Sequence, residues 1–216
     1  MELHRACPSG TCAPSERSSG NLPAMRDTDV REALVAAVAR RVGHQEHLLV
    51  PEVDVRWSVP ARLDALLVAD RISGFEIKSD VDSLTRLPRQ IEAYGSVVER
   101  AVLVVGDRHL AAGTAAVPTW WTIWGARRRG DEVVIREVRR GRLNPDLNPL
   151  AVTSFMSRED LCDALRARGF TRLSTYGVDE LRQLLACSAT RTETVRLARS
   201  AMLSNELWRH RSLLAS

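Results

Sequence analysis

The chain has 216 residues, a formal net charge of +4 at pH 7 and a sequence pI near 9.2. That length holds one compact domain with an appendage, or two small domains, and no run of about eighteen apolar residues exists to span a membrane. The positive balance is compatible with a nucleic-acid partner without demanding one.

Residues 1–26 are rich in Ser, Pro and Gly and lack the apolar segment of a signal peptide, so they read as a disordered leader and a cytoplasmic protein is expected. The segment 27–42, DTDVREALVAAVARRV, predicts a helix with Val30, Leu34, Ala37, Val38 and Arg41 near one face, a cap at Asp27 or Thr28, and a stop at Gly43. Three strands are expected next, over 47–57, 61–70 and 71–80, the last two forming a hairpin. A helix capped by Asp82 or Ser83 should follow, kinked or divided at Pro88. AVLVVG (101–106) reads as a buried parallel strand, and TWWTIWGA and DEVVIREV as two more, joined by a basic turn. From Asn144 the pattern becomes helical, with starts at Ser157, Val178 and Thr190; Ser157 with Asp160, and Thr190 with Glu193, have the spacing of capping boxes. The expected domains are therefore 1–26, 27–143 and 144–216.

Cys7, Cys12, Cys162 and Cys187 fit no zinc spacing, and Cys162 and Cys187 read as buried thiols. Lys78 is the only lysine; every other basic residue except histidine is arginine. It stands two residues after Glu76, so both project from the same face of a strand, and a hairpin would bring Asp64 to Glu76. Two carboxylates between apolar residues repel when ionised. A hard divalent cation, Mg²⁺ or Mn²⁺, would relieve that repulsion, and a lysine beside it could orient a water. The plainer reading is a cross-strand salt bridge.

Arg62-Leu63-Asp64, then Gly74 to Asp80, Asp82, Ser83, Leu84, Arg86, Leu87 and Gln90, resemble a string found in a small bacterial and phage group of the PD-(D/E)XK nuclease superfamily. That resemblance implies an α/β fold: a restriction-endonuclease-like core of helix, three-stranded meander, helix and strand, with a C-terminal helical extension. It implies Asp64, Glu76 and the carbonyl of Ile77 as metal ligands, and Lys78 as the catalytic lysine. Gln90 and Tyr94 are similar to a Q-x-x-x-Y pair that approaches the site or the DNA. Glu52 and Glu32 compete for a third acid, with Glu52 preferred. A Mg²⁺-dependent nuclease acting on DNA, in repair, restriction or mobile-element defence, is the expectation from this resemblance, with a homodimer as a common assembly of such folds. Two other readings stand beside it: a catalytically silent DNA-binding or regulatory protein on the same fold, and a toxin or restriction component needing a partner. Trp120, Trp121 and Trp124 read as core rather than base-stacking residues. The basic turn reads equally as solvated or phosphate-binding.

Overall fold

The computed structural model of the protein describes residues 24–215; the expected leader lies outside them, apart from its last three residues. The fold is mixed α/β. In chain order the elements are α1 (Asp27–Val42), β1 (Leu48–Val55), β2 (Ala61–Val68), β3 (Ile72–Lys78), α2 (Leu87–Val97), β4 (Arg100–Gly106), α3 (Leu110–Ala116), β5 (Thr122–Arg129) and β6 (Glu132–Arg139). Then come α4 (Pro149–Val152), α5 (Arg158–Arg166), α6 (Val178–Ser188), α7 (Arg191–Ser204), α8 (Glu206–Arg211) and the two-residue strand β7 (Leu214–Ala215).

All strands join one sheet in the order β6-β5-β4-β3-β2-β1-β7. The β1–β2–β3 meander is antiparallel, β3, β4 and β5 run parallel, and β6 and β7 close the two edges antiparallel. The parallel strands are the apolar ones: β3 and β4 are buried almost throughout, as strands covered on both faces must be.

One face carries α1, whose Val30, Leu34 and Val38 pack on Phe75, Ile77, Val104 and Trp124. The other face carries α2 and the C-terminal helices in one continuous core, running from Leu63 and Leu103 through Tyr94 and Trp121 to Leu161, Leu181 and Met202. Thus the helices after Asn144 share their apolar interior with the sheet. Asn144 itself is buried and donates its amide to the carbonyls of Gly95 and Val98, which fixes the connection to the end of α2.

Local expectations hold in part. The stop of α1 is Gly43 at φ +59, where a left-handed backbone favours glycine. Ser157 and Thr190 cap α5 and α7 through boxes closed by Asp160 and Glu193. The three tryptophans are core: Trp120, Trp121 and Trp124 are all buried, and Trp121 stacks on Tyr94 at 5.9 Å.

The start of α2 differs from the expected cap at Asp82 or Ser83. The helix begins at Leu87 with Pro88 in its first turn, where proline's missing N–H costs nothing, so it neither kinks nor divides the helix. Asp82 instead accepts from the N–H and hydroxyl of Ser79, folding the loop back on itself. Asp80 accepts from the Arg108 N–H at 3.3 Å and lies so close to Gly106 that a Cβ there would meet its Oδ1 at 2.3 Å. Cys162 is buried as expected, but Cys187 is exposed, because it falls on the outer side of α6.

Candidate functional site

The β2–β3 register pairs Ala65 with Phe75 and Leu66 with Gly74, and its continuation sets Asp64 opposite Glu76. At that end of the sheet a cleft of about 500 Å³ opens between α1, β2, β3 and the start of α2. The sequence-predicted residues Asp64, Glu76, Ile77, Lys78, Glu52 and Gln90 all line it. Tyr94 lies directly beneath, one helical turn after Gln90, with its hydroxyl on Glu76. Glu32 does not line the cleft; it is exposed on α1.

Each carboxylate oxygen of the central pair already faces a protein donor. Asp64 Oδ2 accepts from the Ile77 N–H at 2.7 Å, and Oδ1 from Arg31 Nη2 at 3.0 Å. Glu76 Oε1 accepts from Lys78 Nζ at 2.6 Å, and Oε2 from the Tyr94 hydroxyl at 2.5 Å. Glu76 and Lys78 form a fully buried pair, their side chains 1% and 4% exposed. The Tyr94 hydroxyl also lies 2.8 Å from the Arg62 carbonyl.

Burial dominates the electrostatics. It pushes the Glu76 carboxyl up to about 7, with the neighbouring Asp64 charge adding to the rise and Lys78 and Tyr94 opposing it. Burial also raises Asp64, against the pull of the Ile77 N–H and of Arg31. Burial, together with the charge of Glu76, holds the Tyr94 phenol well above its usual range, so it stays a neutral donor. When Glu76 takes up its proton, Oε2 can donate to Tyr94 while the phenol turns its own proton to the Arg62 carbonyl; every group then remains bonded.

Arg31 is the residue that sequence reasoning missed. It reaches from α1 to the Asp64 carboxylate and carbonyl, and pairs with Asp27 one turn earlier. Its only advance signal is position: 27, 31, 34 and 38 share one helical stripe, and a charged residue within an apolar stripe needs a partner in the fold. Glu52 is reached by its strand but in an unusual way. Its φ is +51, outside the range non-glycine residues prefer, and it stands opposite Asp64, where the β1–β2 pairing lapses for one residue while the register continues, 3.6 Å from Arg62.

This donor set does not fit the open oxygen ligands a hard cation takes. The four oxygens of Asp64 and Glu76 are engaged by nitrogen or hydroxyl donors, and among the described residues no group of three or more His, Cys, Asp or Glu side chains could hold a metal.

A family model described as Bacteriophage P4 protein cII matches residues 23–214. The chain belongs to that family. It is also 25% identical, over 148 residues, to "Protein cII" of Enterobacteria phage P4, a match covering 68% of this chain and 55% of the relative. The chain thus spans about half the length of the curated relative it matches. No solved structure matches it.

The P4 cII match corrects the resemblance to the PD-(D/E)XK superfamily. With it falls the expectation of a metal-dependent nuclease: the family is a different one, and the paired carboxylates present no metal-ligand cluster. Among the described residues, no helix is long and apolar enough to cross a membrane.

Proposed function

We propose that this member of the P4 cII family is a non-hydrolytic, regulatory DNA-binding protein that holds the phosphate backbone at the cleft. The observation that carries this reading is the start of α2. Its N-cap is Arg86, its third residue is Arg89, no side chain caps it, and its first turn has no acidic residue. Cations at a helix N-terminus oppose the helix dipole, and uncapped N–H groups lose about 1 kcal/mol of stabilisation. Local stability would favour the reverse arrangement. An anion at this end would be met by the two exposed guanidiniums; of the first-turn amides, the Leu87 N–H already donates to the Leu84 carbonyl and Pro88 has none.

Arg86 and Arg89 have no carboxylate partner among the described residues, and both line the cleft beside the exposed Arg62. The acidic residues deeper in the cleft are mostly neutralised: Asp64 by Arg31, and Glu76 by Lys78. Arg62 faces Glu52 at 3.6 Å, and Asp27 and Asp82 also line the cleft, so the positive part of the rim is Arg86 and Arg89 at the start of α2. Repeated phosphates are the anions such a rim suits, and guanidinium contacts to them carry affinity without sequence reading.

The test is fluorescence anisotropy with labelled duplex DNA between about 50 and 200 mM salt, with and without Mg²⁺, followed by a denaturing gel of the same DNA. Salt-dependent binding with intact DNA is expected. The double variant Arg86→Ala/Arg89→Ala should weaken binding and reduce the salt slope by roughly two phosphate contacts. Binding unchanged by that variant would remove the α2 site. DNA cut in a Mg²⁺-dependent way, and spared by Glu76→Gln, would overturn the non-hydrolytic reading.

A further inference from the structure

A second concave site lies at the other end of the same strands. The cleft is at the Lys78 end of β3; Arg71 and Glu99 stand just before the opposite ends of β3 and β4, about 20 Å away along a seven-residue strand. There a pocket of about 380 Å³ forms between the β3–β4 ends, the connection after Leu143, and α7.

Four arginines face this pocket against a single carboxylate. Glu99 is fully engaged: it accepts from Arg71 at 3.0 Å and from the Ile72 N–H at 2.8 Å, with Arg199 3.8 Å away. Arg191 spends its donors on the neutral carbonyls of Asn144 and Pro145, which fixes its guanidinium without cancelling its charge. Arg196 is exposed and makes neither a hydrogen bond nor a close ion pair among the described residues. The acid one turn before it on α7, Glu193, accepts from the N–H and hydroxyl of Thr190 and keeps its charge, which acts on both Arg196 and Arg168. Four arginines against Glu99 and the nearby Glu193 still leave the mouth net positive. The wall between them is apolar: Leu147 and Val195 are buried, and Leu143 is 49% exposed.

We infer that this pocket binds a nucleoside phosphate, with its phosphates on Arg191 and Arg196 and its base against the Leu143, Leu147 and Val195 wall. A guanidinium suits phosphate oxygens two at a time; Arg191 is held in place with N–H groups left beyond the two it gives to carbonyls, and among the described residues Arg196 has all of its donors available. The volume lies within the range of small-ligand sites and is too small for a duplex. An apolar wall gives affinity to a base that inorganic phosphate lacks. This site is separate from the DNA cleft and does not depend on it.

The experiment is calorimetry of the full chain with inorganic phosphate, AMP, ATP and a short DNA duplex as separate titrants. A nucleotide should bind more tightly than inorganic phosphate. Arg196→Ala should weaken it about tenfold, the size of one lost charge-assisted contact. Arg191→Ala should weaken it as well; because Arg191 also ties down the connection, Arg196→Ala is the decisive variant. Arg86→Ala/Arg89→Ala should leave nucleotide binding unchanged while DNA binding falls. The inference is overturned by no heat from any nucleotide at millimolar concentration, by heat from DNA alone, or by nucleotide binding that Arg196→Ala leaves intact.

Discussion

Glu76 is the side chain whose protonation state the fold controls most directly. Its folded pKa, about 7, stands above the ordinary 4.5, so the folded protein holds this proton more tightly than the unfolded chain. Its contribution to stability is complete below about 4.5 and is lost as the pH rises to about 7. Denaturant melts of Glu76→Gln across that window should show a flatter pH profile than the parent; an identical slope would mean that Glu76 ionises normally. Lys78 is the other half of the pair. Lys78→Met strands an ionised, buried Glu76 and should cost about 3 kcal/mol or more at pH 8, shrinking towards pH 5 as Glu76 protonates. The pairing of Glu76 with Lys78 was legible from their spacing of two. The bond from Arg31 was not, because it joins residues 33 apart in the chain.

At the scale of elements, α2 is locally disfavoured where it begins. Arg86→Ala/Arg89→Ala should therefore leave the melting temperature unchanged or raise it slightly, while DNA affinity falls; a stability loss above about 1 kcal/mol would make these arginines structural instead. The capped helices behave oppositely. Ser157→Ala and Thr190→Ala should each cost about 1 kcal/mol in urea titrations, since each removes the acceptor for a first-turn N–H. Within β3, Gly74 marks a close approach. A Cβ there would lie 2.7 Å from Leu63 Cδ2 and 3.0 Å from Val98, so Gly74→Ala should destabilise by about 1–3 kcal/mol through overpacking.

The whole molecule is held by the core shared between the sheet and the C-terminal helices. Leu48, Leu103 and Trp121 from the sheet half belong to the same cluster as Leu161, Leu181 and Met202. The chain end adds a second tie: the Leu213 N–H donates to the Leu49 carbonyl, and β7 pairs with β1. A fragment ending at residue 143 would expose the face these helices cover. It should not fold alone, and the full chain should unfold in one transition, with far-ultraviolet circular dichroism and tryptophan fluorescence coinciding. Separate transitions would show that the helices form their own unit.

The sequence by itself determined the local features: the order helix, meander, helix, strand; the stop at Gly43; the capping boxes; the buried parallel strands; and the set of polar residues that meet at the β2–β3 end. Each follows from spacing within a few residues, where chain geometry leaves little choice. Only the tertiary structure decided what those residues do together. Arg31 comes across from α1 to Asp64, Tyr94 rises beneath Glu76, and the two carboxylates end bonded to donors rather than open to a cation. The same holds for the pocket at the far end, which unites Arg71 with Arg196 across more than a hundred residues. Short-range periodicity carries no information about such meetings, because packing of distant elements brings them about.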